Sequence, residues 1–398
     1  MTGRAVITGL GVVAPNGIGV EAYWAATLAG KSGIDHGVRA GVVPEFAAAD
    51  HLPSRLLVQT DRWTQFGLAA AELALADAAL DPATLPEYEF GVVTGSSSGG
   101  NEFGQREIAK LWTGGPEHVG VYQSIAWFYA ATTGQVSIRH GARGPCGVLV
   151  SEQAAGLDAL GQARRMLRTG ASVLLSGGAE APLSPYAKLC QETSGRISHT
   201  GYRPFARDAD GHLPGEGGAL LVLESEASAR RRGARGYGVL AGYAATFDPP
   251  PGSHRPPALR RAIELAIADA RLSTSDIDVV FADAAGTPGL DRREAQALAE
   301  VFGPHGVPVT APKSMTGRLY AGGAPLDVAA ALLCLRDQVI PPTTGIGEVP
   351  EGYLLDLVKD EPRPDTPRTA LVLARGAGGF NSAVVLTTAG GNPCPDSP

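Results

Sequence analysis

Residues 143–165 read R-G-P-C-G-V-L-V-S-E-Q-A-A-G-L-D-A-L-G-Q-A-R-R. The apolar run Val148-Leu149-Val150 has the length of a buried strand, whereas Leu157, Leu160, Ala163 and Leu167 recur at i, i+3, i+6 and i+10, close to one helical face. Gln153 therefore falls on a strand-to-helix turn, the place where nucleophile elbows sit. Its carboxamide is neither a nucleophile nor a base near neutral pH. A site built on this turn has to work without a nucleophile of its own, and the bland alternative is a polar residue at a helix start.

The same strand-then-helix rhythm extends in both directions. Ala5–Thr8, Gly91–Thr94, Val173–Ser176 and Ala219–Leu223 read as strands, and Thr64–Ala79 and Ser151–Arg168 as helices. After Glu224 the pattern restarts, with strand-like Val279–Ala282, Val307–Thr310 and Ala370–Leu373 and helical Arg292–Phe302 and Pro325–Asp337. The class is α/β. The helix at Gln153, followed by T-G-A-S-V-L-L, resembles Gly322–Cys334 followed by R-D-Q-V-I-P-P, which points to a duplicated fold with one site between two similar halves. Linker-like E-A-S-A-R-R-R-G-A-R-G and D-P-P-P-G-S-H-R-P-P set the boundary within 225–255, giving halves 1–235 and 236–388 and a flexible tail at 389–398.

Bulk properties narrow the function classes. The 398 residues exceed what one hydrophobic core usually organises, in agreement with two halves. A net charge of −7 without a basic block argues against nucleic acid or an anionic membrane as partner. Cys146, Cys190, Cys334 and Cys394 lie far apart, and the eight histidines show no ligand spacing. No metal, disulfide framework or cofactor is expected. No 18-residue apolar stretch and no signal peptide are apparent, so the expected location is the cytoplasm. A phosphate loop is excluded because no G-K-[ST] follows the glycines at 215, 217 and 218, which instead mark tight turns, as does R-G-A-G-G-F-N-S near the end.

Three landmarks carry a resemblance that covers nearly the whole chain: V-I-T-G-L-G-V-V-A-P-N-G, R-P-F-A-R-D-A-D-G-H-L-P-G-E-G-G-A-L-L-V-L-E and A-P-K-S-M-T-G-R-L-Y-A-G-G. They resemble the β-ketoacyl synthases of the thiolase fold, two pseudo-duplicated halves in a layered αβαβα arrangement. Within that family S-S-S-G-G-x-E-F-G-Q-R-E, Y-Q-S-I-A-W-F-Y-A, I-R-H-G, S-E-Q-A and F-A-D-A-A-G look like the chain length factors, or ketosynthase beta subunits, of bacterial type II polyketide synthases. The segment K-S-G-I-D-H-G-V-R-A-G-V-V-P-E-F, 31–46, is shorter than the family pattern, as if a loop were trimmed.

The resemblance assigns positions to the family's chemistry. A condensing ketosynthase holds its acyl chain on a cysteine thiolate and uses two histidines for decarboxylation and oxyanion stabilisation. Those three positions fall here on Gln153, Ala285 and Arg318, while Lys313 and nearby Glu294 are retained. Alanine transfers no proton, and an always-charged guanidinium is a poor base. The chain is therefore not expected to condense alone, and an active homodimeric ketosynthase is disfavoured. A second possibility is a malonyl-carrier-protein decarboxylase working through Gln153, as in loading ketosynthases, which however keep their histidines. Otherwise Gln153 fills the old cavity with its amide satisfied by neighbouring backbone. Cys146 is expected to be a small core residue, Ser151 lacks an activating histidine, and His140 reads as a structural hydrogen-bonder.

The resemblance also implies partners: a ketosynthase alpha subunit in a heterodimer, and an acyl carrier protein bearing malonyl units or the polyketide. Asn101, Gly104 and Ile108, at i, i+3 and i+7, share a helix face and correspond to the gate of the polyketide tunnel. They form an open set without Phe or Trp, which predicts a long product of decaketide class or larger; the alternative is an ordinary interface helix. Tyr122, Trp127, Phe128 and Tyr129 are expected at the subunit contact, with a core role as the competing reading.

Overall fold

The computed structural model describes residues 3–390, so the expected tail lies, from 391 onward, outside the described residues. The first half supplies β1 (Ala5–Ala14), β2 (Phe90–Gly95), β3 (Cys146–Leu149), β4 (Val173–Glu180) and β5 (Gly217–Ser225). They lie in the order β3-β2-β4-β5-β1, with β2 parallel to β3 and β4 and the remaining pairs antiparallel. The second half supplies β6 (Gly238–Phe247), β7 (Val279–Phe281), β8 (Pro308–Thr310), β9 (Asp356–Leu357), β10 (Thr369–Gly376) and β11 (Phe380–Thr387). Here the order is β8-β7-β10-β11-β6 with the same sequence of parallel and antiparallel pairs, and β9 is added outside β8. One strand plan is thus used twice. The two half-sheets join through only two register pairs, Val6↔Val239 and Ile7↔Gly238.

Helices fill the other layers. In chain order they include α1 (Arg62–Asp77), α2 (Asn101–Gly114), α3 (Gln123–Ala126), α4 (Ala131–His140), α5 (Ala155–Arg168), α6 (Pro185–Glu192), α7 (Leu259–Asp269), α8 (Pro288–Phe302) and α9 (Gly323–Asp337). The third strand of each half is followed by a central helix, α5 in the first and α9 in the second, and these are the segments whose sequences echo each other. Both pack against strands of both halves in one shared core. α9 is buried from Ala324 to Leu335, as befits a helix that is apolar nearly all round. α1 covers the outer face of the first half-sheet, and α7 with α8 the outer face of the second, which completes αβαβα. Among the described residues no helix is long and apolar enough to cross a membrane.

Several boundaries differ from the sequence reading for identifiable reasons. β1 runs to Ala14 rather than Thr8. Gly9 and Gly11 blur its apolar pattern, yet they are what lets α1 approach: a Cβ at Gly11 would lie 1.8 Å from Ala70 O. The linker-like stretch is not a linker throughout. Glu226–Arg231 is helical and capped by Ser225, and β6 then pairs with β11 and touches β1. Two strands, β6 and β11, and the helix α7 are additional to that reading, although α7 buries Leu259, Ala262, Ile263, Ala266 and Ile267 at i, i+3, i+4, i+7 and i+8 and β11 holds the apolar run Ala383–Leu386. The helix at Gln153 starts at Ala155 after a 3-10 turn over Glu152–Ala154. The short segment at 31–46 closes as a small hairpin, Ile34–Asp35 against Ala40–Gly41.

Candidate functional site

Gln153, Ala285 and Arg318 meet on one cavity of 1440 Å³ whose lining also includes the loop 248–257 and α8. Its floor is the elbow after β3. Glu152 takes a left-handed backbone, φ 56°, which non-glycine residues adopt at a cost. Its carboxylate recovers part of that cost by accepting the Gln153 N–H at 2.8 Å and the Ala377 N–H at 2.9 Å. Gln153 is buried, and among the described residues its side chain makes no hydrogen bond, so the amide is not satisfied by neighbouring backbone as expected but faces the cavity. Ser151 is bonded to Asp158, which also takes Tyr243 Oη at 2.9 Å, and so belongs to the structure of the elbow rather than to its chemistry.

The two histidine positions have become part of a buried ion cluster. After β7 the chain turns through Asp283, Ala284 and Ala285, and Glu294 on α8 pins that turn by accepting the Asp283 N–H at 2.7 Å and the Ala284 N–H at 2.9 Å. Arg318 donates to Asp283 Oδ1 at 2.8 Å and to the Ala284 carbonyl at 3.1 Å. Arg375 reaches Asp283 Oδ2 at 3.1 Å and Glu294 Oε2 at 2.8 Å. Lys313 donates to the Ala282 carbonyl at 2.8 Å and pairs with Asp327 at 2.7 Å. Three cations thus balance three carboxylates.

Burial works against ionisation of Asp283, but Arg318, then Arg375 and Lys313, outweigh it and hold its carboxyl well below the usual range. Burial pushes Asp327 up to about 6 against the pull of Lys313, and raises Glu294 with help from the Asp283 charge. Arg318 is held above its ordinary range by Asp283 despite burial, so it offers the cavity a fixed cation and no proton transfer.

A histidine does line this cavity. His212, in D-G-H-L-P-G-E-G, sits near Arg318 and the Ala285 backbone, with Tyr202 edge-on at 6.4 Å between ring centroids. Burial, then Arg318, pushes it down to about 3, which leaves a neutral imidazole. The sequence held a usable signal, since Gly215, Gly217 and Gly218 mark the turn beside it. Among the described residues no cluster of His, Cys, Asp or Glu has the geometry of a metal site.

The face of α2 behaves as a path rather than a uniform wall. Asn101 lines the cavity, Gly104 is buried, and Ile108 is exposed. The space over Gly104 is already taken: a Cβ there would lie 2.6 Å from Trp127 Cδ1. Glycine at 104 makes room for an indole of the same chain. Tyr122, Trp127, Phe128 and Tyr129 are exposed by 37%, 52%, 44% and 47%, which sets the core reading aside, and Trp112 and Val121 extend the apolar surface at 82% each. β3, at the sheet edge, adjoins it through α4, and Cys146 at its start is exposed rather than a core residue. His140 Nε2, expected to hydrogen-bond, is buried without a partner among the described residues.

A twice-used α/β strand plan with a strand-to-helix elbow at the floor of a large cavity defines a condensing-enzyme fold. Residues 3–229 match the β-ketoacyl synthase N-terminal domain and residues 237–346 its C-terminal domain. The chain belongs to the β-ketoacyl synthase family, among the ketosynthase beta subunits, or chain length factors, of type II polyketide synthases. It is 59% identical to the tetracenomycin polyketide synthase ketoacyl synthase beta subunit of Streptomyces glaucescens, over 96% of this chain and 97% of that one. It is 55% identical to the actinorhodin polyketide putative beta-ketoacyl synthase 2 of Streptomyces coelicolor, over 96% and 98%. The solved ishigamide ketosynthase/chain length factor superposes with a TM-score of 0.90 at 29% identity, covering 98% of this chain and all of that one. A type II acyl-carrier protein complex with its ketosynthase, bound to the hexaketide, gives 0.86 at 29% identity, covering 98% of this chain and 100% of that chain.

Proposed function

We propose that this chain is the non-condensing subunit of a heterodimeric polyketide ketosynthase, and that with its alpha-subunit partner it shapes the tunnel that sets polyketide length. One observation carries the reading: α2 starts at the cavity with Asn101 and is overlaid at Gly104 by Trp127 of an exposed aromatic surface, so tunnel wall and partner surface meet on this helix. Gln153, Ala285 and Arg318 leave condensation to the partner's cysteine. Malonyl units and the growing poly-β-ketone come on an acyl carrier protein, in the cytoplasm. The halves 1–235 and 236–388 are both ketosynthase-like, the first carrying the interface and tunnel insertions, and 389–398 is a tail. The relative named as a beta subunit, the ketosynthase/chain length factor neighbour and the carrier-protein complex support this assignment.

The open character of the gate now rests on Asn101 and Ile108, because Gly104 is occupied by Trp127. A decaketide-class or larger product remains the expectation. Asn101→Trp is expected to shorten the main polyketide by at least a two-carbon unit, read by mass spectrometry of the product from the reconstituted heterodimer and carrier protein. An unchanged product from an intact heterodimer would remove the gate, and condensation by this chain purified alone would remove the whole assignment.

A second reading, malonyl decarboxylation at Gln153, gains one observation: neutral His212 faces the same cavity and could donate to an enolate oxygen. Gln153→Ala should then abolish carbon dioxide release from malonyl carrier protein by this chain. Equal release from the variant and the parent excludes a role for Gln153.

A further inference from the structure

The start of α2 is held by groups that belong to distant parts of the chain. Its N-cap is Gly100, which has no side chain to accept the free N–H groups of the first turn. One buried carboxylate, Asp61, accepts from that turn instead, and a second, Glu180, holds the loop that leads into it. Asp61, the N-cap of α1, accepts the Trp63 N–H with Oδ1 at 3.0 Å and the Phe103 N–H of α2 with Oδ2 at 2.7 Å. Glu180, the last residue of β4, accepts the Ser97 N–H at 2.5 Å, the Ser98 N–H at 3.3 Å and the Ser98 hydroxyl. Asp61 is 1% exposed and Glu180 0%. Among the described residues neither is in an ion pair; Glu180 accepts from this loop alone, and Asp61 from the start of α2 and the start of its own helix.

What they fix is the entrance to the gate. Ser97, Ser98 and Asn101 all line the cavity, and Asn101 is the first residue of α2. From the other side the Trp127 carbonyl accepts the Gly100 N–H at 3.2 Å. A helix start clamped from two sides has little freedom to slide, whereas an uncapped first turn frays. We infer that Glu180 and Asp61 are positioning residues for chain-length control, holding Ser97–Phe103 so that Asn101 meets the growing polyketide at a fixed depth. This inference rests on the reading of α2 as the tunnel wall. Neither residue touches the reacting atoms; each acts through the backbone it holds.

The test uses the reconstituted heterodimer with its carrier protein and compares product lengths. Glu180→Gln keeps the size of the side chain but replaces one acceptor oxygen by a donor that opposes Ser98. It is expected to lower the ratio of main product to chains of other lengths by roughly tenfold, the scale of one buried hydrogen bond. Ser98→Ala removes only the hydroxyl partner and is expected to shift the distribution in the same direction, which keeps the test open if Glu180→Gln fails to assemble. Glu224→Gln is the control: Glu224 is equally buried, bonded to Thr8, Ser228 and Arg232 far from α2, and its loss should lower the melting temperature without changing product length. If Asn101→Trp shortens the product while Glu180→Gln and Ser98→Ala leave it unchanged in an intact heterodimer, the positioning role is wrong and the gate stands. If Asn101→Trp also leaves it unchanged, both fall together.

Discussion

Arg318→Ala is expected to destabilise the chain by about 3 kcal/mol, the cost of removing one partner from a buried ion pair. Arg318 is 6% exposed, and its guanidinium serves both Asp283 and the carbonyls of the turn that carries Ala285. Without it Asp283, 1% exposed, keeps Arg375 but loses its other guanidinium partner. The pH dependence separates this from a simple cavity. In the parent Asp283 titrates well below the usual carboxylate range, so its contribution to stability is present above its unfolded value and is lost only in strong acid. In the variant its folded value rises, because the largest of the charges that oppose burial is gone. The deficit should be full near neutral pH and narrow as the pH falls, since the variant's Asp283 protonates first. Urea midpoints of parent and variant measured from pH 7 down to the acid transition decide the matter; a deficit independent of pH would mean that only packing was lost.

The position of that cluster explains which parts of the molecule were legible in the sequence. The elbow was, because a short continuous apolar run and a helix of period 3.6 leave only a few residues between them for the turn. The duplication was too, since α5 and α9 follow equivalent strands and must bury similar faces. What escaped depends on neighbours remote in sequence. Spacing places Gly104 on the cavity side of α2 but does not reveal that Trp127, from the next helix-bearing segment, lies across it. Cys146 looks like core from its apolar neighbours, yet β3 is an edge strand, and edge position is a property of sheet order. The sequence marks Arg318 as an unsuitable base, but Arg375, which shares Asp283 with it, sits in a glycine-rich segment that reads as a turn. Asp61, which caps α2 from 42 residues away, and Glu180, which holds the loop before it from 83 residues away, carry no local sign of these roles.

Trp127→Ala is expected to have two separable effects, because the indole faces two ways. It is 52% exposed among Val121, Ile125, Phe128 and Tyr129, and large aromatic side chains at the centre of such surfaces dominate binding energy. Truncation should weaken assembly with the alpha subunit by about 2 kcal/mol or more, roughly thirtyfold in Kd. The same ring covers Gly104, so its removal opens the middle of the α2 face. Heterodimers that still form should therefore release longer chains than the parent. Phe128→Ala is the matched comparison, since its ring packs on Tyr129 at 4.4 Å, and it should weaken assembly while leaving product length alone. Sedimentation of the purified pair gives the first quantity and mass spectrometry of the product gives the second. Longer chains from Trp127→Ala alone would place the indole in the tunnel wall; weaker assembly with unchanged length in both variants would confine it to the subunit contact, and tight assembly with unchanged length would deny it either role.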